Sequence, residues 1–200
     1  MNKGIVAEIK HRISEHGPGW CFTIKHFLDL DSDMGVRKAL SRLEKDKTIR
    51  RLAQGLYEYP RTHEALGMLP PQLEEVAKAL TEKDGIRIQP SGAYAANLVG
   101  LTEQVPAKVI FLTSGRKKSF KIGKLEITLK TAQEKTLHAT GKVGLAIQAM
   151  KNIGKTHIDE IAQARLTRFL TDVPRDEIRA NLKYAPQWIR SIIMKITEKK

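Results

Sequence analysis

In the first part of the chain, short segments with apolar residues at helical spacing alternate with turn residues. This pattern predicts two short helices at the N-terminus. Ile5, Ile9 and Ile13 recur at the spacing of one helical face. Glycine and proline in 16–19 end that helix. A second, short helix is predicted over 24–29, after an apolar run that contains the single cysteine of the chain.

The next stretch has the clearest amphipathic pattern of the chain. Ser32 or Asp33 can cap a new helix by accepting its free backbone amides. Apolar residues then fall at i, i+3, i+4 and i+7 and predict one buried stripe: Val36, Ala39, Leu40 and Leu43. Polar and basic residues lie off that stripe: Arg37, Lys38, Ser41, Arg42 and Lys45.

A tight basic hairpin follows directly. Strands are predicted over 48–53 and 55–59, joined at Gln54, and Gly55 permits the positive φ that such a turn requires. A short helix, a capped basic helix and a basic hairpin, in that order, are typical of a winged helix-turn-helix. We therefore predict a first domain over residues 1–62.

The remainder predicts a second domain, 63–200, in two parts. The part 63–134 contains two helices, a short strand and three strands that predict a small antiparallel sheet. The part 135–200 has only helical periodicity and predicts a bundle of four helices. The expected fold class is α+β, with an N-terminal winged helix, a mixed middle part and C-terminal helices.

Charge narrows the range of partners. The 200 residues carry a net charge of +13, and 135–200 alone hold 13 basic against 6 acidic residues. Such a surplus attracts polyanions such as nucleic acids. Neither a secretory signal nor an apolar run long enough for a membrane span is recognised, so we expect a cytoplasmic protein without a membrane partner.

The winged-helix interpretation gives the basic residues specific roles. The second helix of such a unit lies in the major groove, where arginine can bridge O6 and N7 of guanine and lysine meets phosphate. The hairpin residues Arg50, Arg51 and Gln54 would contact the DNA backbone or minor groove. A solvated helix face is the alternative. Arg37 is followed by no acid four residues later, which favours unpaired charges and hence DNA.

A second basic cluster leaves its role open. It consists of Arg116, Lys117, Lys118, Lys121 and Lys124. These residues could hold phosphate, dock an acidic protein, or keep a sheet edge from aggregating. A C-terminal set could serve similarly or could dock a partner: Arg165, Arg168, Arg175, Arg179, Lys183 and Arg190.

Signals for an enzyme are weak. No two histidines have the i, i+4 spacing of a helical metal site, and no glycine-rich phosphate loop ends in Lys-Ser/Thr. Neither Ser91-Gly92 nor Ser114-Gly115 is followed by the paired carboxylates that a nucleotidyl transferase needs for its metals. We therefore expect no catalytic residues, no metal and no cofactor.

Two segments together resemble a known family. Within 36–60 the chain reads Val-Arg-Lys-Ala-Leu-Ser-Arg-Leu-Glu-Lys and Ile-Arg-Arg-Leu-Ala-Gln-Gly-Leu-Tyr-Glu-Tyr-Pro. Within 90–106 it reads Pro-Ser-Gly-Ala-Tyr-Ala-Ala-Asn-Leu-Val-Gly-Leu-Thr-Glu-Gln-Val-Pro, and 108–113 with a basic hairpin follows. These stretches resemble AbiEi-type antitoxins of type IV toxin–antitoxin (abortive-infection) systems over about residues 5–130.

The resemblance implies an autorepressor and antitoxin. Such a protein would bind inverted repeats upstream of its own operon through the winged helix. It would also counter a nucleotidyl-transferase-type toxin without a tight complex. Three alternatives stay open: a stand-alone winged-helix transcription factor, an antitoxin that docks an acidic toxin directly, and a nucleic-acid enzyme that lacks familiar motifs.

Overall fold

The computed structural model describes residues 3–82 and 85–198 and has an α+β fold with two compact units, Met1–Ile86 and Arg87–Lys200. The sequence-based boundary lies earlier, between 62 and 63. The difference arises because a helix after that point packs against the first strand of the chain. The first unit therefore extends past the predicted hairpin.

In its described residues, the first unit contains three helices. A strand and a 3-10 turn lie between the first two helices, and two hairpins lie between the second and the third. In chain order its elements are helix α1 (Lys3–His16), strand β1 (Cys21–Thr23), a 3-10 turn (Ile24–His26), helix α2 (Asp33–Lys45), strands β2 (Arg50–Ala53), β3 (Leu56–Glu58), β4 (Thr62–His63) and β5 (Gly67–Met68), and helix α3 (Leu73–Thr81). Strands β1, β3 and β2 form an antiparallel sheet in that order, and β4 pairs with β5.

The core of the first unit joins α1, α2 and the sheet. Ile9 and Ile13 of α1 are buried against Phe22, Phe27 and Leu40. Such fully buried side chains each stabilise the unit by about 1.5–3 kcal/mol relative to exposure. The amphipathic stripes that the sequence predicts for α1 and α2 therefore face one shared core.

The predicted helix over 24–29 is a single 3-10 turn. Thr23 and His26 form a reciprocal capping box, and the backbone N–H of Phe27 donates to the carbonyl of Ile24 at 3.0 Å. Arg12 crosses from α1 to this segment and donates to Asp29 at 2.8 and 2.7 Å. The turn ends early because Phe27 enters the core, where its ring packs edge-on against Phe22.

Cys21, the cysteine of the apolar run before the 3-10 turn, is buried, with 1 % of its surface exposed. Burial, with a smaller contribution from the nearby carboxylate of Glu58, raises the pKa of the Cys21 thiol to about 12. The thiol is therefore protonated at neutral pH.

The second unit contains a sheet followed by helices. In chain order it has strand β6 (Ile88–Ser91), helix α4 (Gly92–Leu98), strands β7 (Lys108–Thr113), β8 (Lys118–Ile122) and β9 (Leu125–Thr131), and helices α5 (Glu134–Leu137), α6 (Gly141–Ile153), α7 (Glu160–Phe169), α8 (Arg175–Leu182) and α9 (Gln187–Glu198), with a 3-10 turn at Lys155–His157. Helices α4 and α6 contact β6, and α4 also contacts β7.

The sheet is mixed, whereas the sequence predicts an antiparallel one. Its strand order is β6-β7-β9-β8, and β7 runs parallel to β9 while the other two pairs are antiparallel. The β8–β9 hairpin places β9 in the middle and leaves β8 at an edge. Pro90 lies in the other edge strand, β6, where a missing N–H is tolerated.

The part 135–200 is helical, as predicted, and its helices share one apolar core with α4. Helix α6 packs on α4, and α7 packs on α9. Ile147, Met150, Leu166, Ile189 and Ile193 are all buried in this core. Within the described residues, no helix is both long enough and apolar enough to cross a membrane.

Candidate nucleic-acid interface

Helix α2 is fixed at its start and along one face. The Ser32 hydroxyl accepts a hydrogen bond from the backbone N–H of Gly35 at 3.3 Å and caps the helix. A Cβ at Gly35 would collide with the Asp31 carboxylate unless that side chain moved, so the two residues pack closely at the start of the helix. The predicted stripe is buried, with no more than 2 % of any residue exposed: Val36, Ala39, Leu40 and Leu43. The opposite face is thereby held in place.

That opposite face holds the predicted polar set, and every member is exposed: Arg37, Lys38, Ser41, Arg42 and Lys45. Four of the five have side chains that make no ion pair or side-chain hydrogen bond within the described residues: Lys38, Ser41, Arg42 and Lys45. These side chains are available to an external partner.

Arg37 differs from its neighbours because it is paired. Its guanidinium bonds to the Asp33 carboxylate one turn earlier, with Nη2 at 3.3 Å from Oδ2. This hydrogen bond raises the pKa of Arg37 above its ordinary value. No acid follows Arg37 at a distance of four residues, but Asp33 precedes it at that distance. The inference that Arg37 is unpaired is therefore wrong.

The hairpin β2–β3 places two of its predicted residues at the surface. Arg51 and Gln54 are exposed, and Arg51 Nε donates to the carbonyl of Ala53 at 3.4 Å. A register shift between Arg51 and Ala53 interrupts the strand pairing, and Gly55 has φ +73° at the turn. The hairpin thus has its polar residues near its tip.

Arg50, the third predicted hairpin residue, points inward. Its Nε donates to Glu58 at 2.9 Å, and its Nη2 donates to the carbonyl of Leu69 at 2.9 Å. The Glu58 side chain is fully buried. Burial raises the pKa of Glu58 above its usual value, and the hydrogen bond from Arg50 offsets only part of that rise. Arg50 therefore compensates a buried carboxylate within the unit.

The Arg50–Glu58 pair is absent from the residues predicted from the sequence. The two residues are eight positions apart, and they face each other in the β2–β3 register. Opposite charges directly across a predicted hairpin were the available signal.

The second basic cluster lies on and beside the edge strand β8. All five residues are exposed: Arg116, Lys117, Lys118, Lys121 and Lys124. Lys117 lines an open groove of about 640 Å³ on the sheet, together with Lys108 and Lys130. Lys108 is paired with Glu126 at 2.9 Å, and this bond lowers the pKa of Glu126. The cluster is therefore an exposed surface made mostly of lysines. In the groove beside it, the charge of Lys108 is partly neutralised by Glu126.

Several C-terminal cations make contacts within the second unit. Arg165 donates to the carbonyl of Gly100 at 2.9 Å and lies 3.7 Å from the Glu103 carboxylate. Arg165 and Arg168 line the same cleft of about 400 Å³, together with Lys142, which bonds to Asp172 at 2.6 Å. These contacts tie several of the positive charges to partners within the unit.

The described residues contain no candidate metal site. In the two described ranges, no three His, Cys, Asp or Glu side chains come together closely enough to bind a metal ion.

Comparison with known proteins assigns the chain to a family. No curated protein matches it. A family model described as a family of unknown function (DUF6088) matches residues 8–178, which covers most of both units. The chain therefore belongs to the DUF6088 family.

Proposed function

We propose that residues 1–62 form a winged helix-turn-helix and that the chain is a cytoplasmic DNA-binding repressor of its own operon. The order of α1, β1, the 3-10 turn, α2 and the β2–β3 hairpin supports this, as does the antiparallel sheet β1-β3-β2. In this proposal the 3-10 turn and α2 form the helix-turn-helix, and α2 enters the major groove.

One observation carries the proposal. The exposed face of α2 holds Lys38, Ser41, Arg42 and Lys45, which have no side-chain partners among the described residues, above a fully buried stripe. A rigid helix with free donors on one side is what direct readout of base edges requires. Arg42 is the proposed guanine contact, and Lys38 and Lys45 are the proposed phosphate contacts.

The remaining predicted residues contribute to DNA binding to different extents in this proposal. Arg37 must exchange its bond to Asp33 for a bond to DNA, so its net contribution is smaller than that of Arg42. Arg51 and Gln54 are the proposed wing contacts. Arg50 is left out of the interface because its guanidinium is bound to Glu58.

The test is a titration of the full chain against duplex DNA from its own upstream region and against a scrambled duplex. Two salt concentrations, about 50 and 200 mM, separate phosphate attraction from base readout. A preference of about 10³-fold or more for the upstream duplex is expected. Equal, salt-sensitive binding to both duplexes would contradict sequence-specific repression.

A pair of variants sharpens this titration. Arg42→Ala should remove most of the preference, because it removes the proposed guanine contact. Arg179→Ala deletes the same charge from an exposed helix position in the second unit and should leave the preference unchanged.

We further propose that the chain acts as the antitoxin of a type IV pair and counters a nucleotidyl-transferase-type toxin. This part is supported by the resemblance of 36–60 and 90–106 to AbiEi-type antitoxins. The basic cluster at 116–124 is the proposed toxin-related surface, because its five cations are all exposed.

Co-expression with the neighbouring gene tests the antitoxin proposal. Growth arrest by the neighbour alone and rescue by this chain are expected. A neighbour that is harmless leaves a stand-alone transcription factor, and a stable stoichiometric complex on a sizing column would instead favour direct docking. Metal-dependent turnover of labelled nucleotide by the chain itself would contradict a non-enzymatic role.

A further inference from the structure

A cleft of about 660 Å³ in the first unit is lined by positive side chains and hydroxyl groups. It lies beside the end of α2 and the strand β4, apart from the exposed face of α2. Three cations from three segments converge there: Lys10 on α1, Lys47 after α2, and Arg61 before β4. Among the described residues, no acidic side chain lines the cleft.

The three cations of this cleft form no ion pair within the part of the chain that the structure describes, although the charge of Arg61 acts on the buried Glu58 and lowers the pKa of that carboxyl in part. Neither Lys10 nor Lys47 makes an ion pair there. Arg61 makes one hydrogen bond, from Nη2 to the carbonyl of Pro70 at 3.1 Å, and its Nε is buried with no partner. Buried donors in folded proteins are satisfied as a rule, so an unpaired guanidinium N–H points to a missing acceptor.

Gly19 makes room for the arginine. A Cβ at Gly19 would lie 3.0 Å from Cδ of Arg61, and Gly19 itself has φ +99°. The Arg61 stem is thus held against bare backbone. A side chain fixed in this way loses little freedom when its guanidinium binds a ligand.

Lys47 occupies a strained position. It has φ +58°, and it is the one non-glycine residue of the described chain in the left-handed region. Glycine or asparagine is the usual residue just after a helix end, since other side chains are strained there. Strained residues in proteins cluster at functional sites. Keeping lysine here places an ammonium group at the cleft.

Three hydroxyl groups also line the cleft, those of Thr48, Tyr59 and Thr62, and its apolar part comes from Pro18, Pro60 and Leu69. In the described ranges their hydroxyls have no hydrogen-bond partner. They can donate to an anion whose charge the three cations balance.

We propose that this cleft binds a phosphate group, supplied either by a nucleic-acid backbone or by a phosphorylated small molecule. A phosphate monoester carries nearly two negative charges and three acceptor oxygens, which suits several cations and hydroxyl donors together. A carboxylate brings one charge and suits a single arginine fork. The volume leaves space for the rest of the phosphorylated group. This site goes beyond the proposed operator contacts of α2, and it does not depend on them.

The test uses the full chain, inorganic pyrophosphate as the probe and calorimetry at low salt. The informative variant is Lys10→Gln with Lys47→Gly. Its matched control is Lys135→Gln with Lys195→Gln, which removes the same charge from exposed positions of the second unit. We expect pyrophosphate to bind the native chain and the control, and the cleft variant to lose at least tenfold in affinity.

Misfolding cannot imitate this result. Lys47→Gly relieves the strain of a lysine with a left-handed backbone conformation. In a chain that carries this substitution alone, the first unit should therefore melt at the same temperature as in the native chain or higher. Equal pyrophosphate affinity of the cleft variant and the control would overturn the proposal. No binding of pyrophosphate to the native chain, or equal binding of acetate, would also overturn it.

Duplex DNA distinguishes the two phosphate sources. If the backbone supplies the phosphate, the cleft variant should bind every duplex more weakly, and the slope of log affinity against log salt should fall by about 0.9 for each lost contact. If DNA binding is unchanged while pyrophosphate binding is lost, a phosphorylated small molecule is the ligand. If the chain does not prefer its upstream DNA, the pyrophosphate affinity and the salt dependence of duplex binding can still be compared between the cleft variant and its control.

Discussion

The exposed face of α2 and the basic edge of the second unit carry comparable charge, but they are built differently. The α2 face holds two arginines, two lysines and a serine above a stripe that is almost completely buried. The β8 region holds one arginine and four lysines on and beside an edge strand. Positive charge alone therefore does not distinguish the two surfaces.

The difference is one of geometry. Arginine on a fixed helix can present two donors to one base, whereas lysine on a sheet edge acts as a point charge toward any anion. Edge lysines also keep strands from pairing with other chains. The first surface suits selection among DNA sequences, and the second suits general attraction or protection.

The largest effect is expected within the first unit itself. Arg50→Met leaves the buried Glu58 without its cation and should reduce the free energy of unfolding by about 3 kcal/mol. Urea denaturation at neutral pH measures this. Arg51→Met removes an exposed arginine of the same strand and should change stability by less than about 0.5 kcal/mol. Equal losses in the two variants would place Arg50 at the surface instead.

The same variant has a pH dependence of known sign. The pKa of Glu58 is already raised in the folded chain, so folding favours its protonated form. Without Arg50 that pKa rises further. The cost of Arg50→Met should therefore be largest above the raised pKa and should shrink as the pH falls toward the ordinary carboxyl range. A cost that is independent of pH would show that Glu58 is not its source.

How much of the fold and of the candidate site the sequence predicts depends on how far apart in the chain the interacting residues are. The α2 stripe and the turn at Gly55 follow from local periodicity and backbone freedom, and both are present. The parallel β7–β9 pair requires contacts between distant strands, which no local pattern specifies. The Asp33–Arg37 pair was accessible from spacing alone and was missed. The Arg50–Glu58 pair required the hairpin register.

The next effect concerns the proposed guanine contact. Arg42→Lys keeps the charge and removes the bidentate fork, so about 1–3 kcal/mol of discrimination at one base pair should be lost. Binding to duplexes substituted one base pair at a time measures this. The salt dependence should stay unchanged, since the charge is retained. Loss of affinity for all sequences alike would assign Arg42 to phosphate.

A smaller effect, of opposite sign, is expected at the strained lysine. Lys47→Gly alone should raise the free energy of unfolding by about 1 kcal/mol, because glycine adopts positive φ without the Cβ clash. Thermal unfolding measures it. Lys38→Gly, at an exposed position in the middle of α2, should lower stability by about the same amount. A destabilised Lys47→Gly variant would mean that the lysine side chain makes a stabilising contact.

The smallest effect on operator preference is expected from the second surface. Reversing Lys117, Lys118 and Lys121 to glutamate should weaken binding to all duplexes but should leave the ratio between upstream and scrambled DNA unchanged. The rescue of growth should be lost if this edge serves the antitoxin role. Variants that keep both repression and rescue would remove the edge from the proposed function.

Cys21 makes the first unit report its own opening. The chain has one thiol, and that thiol is buried with a pKa of about 12. A thiol reagent at neutral pH meets neither an exposed sulfur nor a thiolate while the unit is folded. Each labelled molecule therefore records an opening of the β1 region. The rate of labelling measures how often this happens, without any engineered probe.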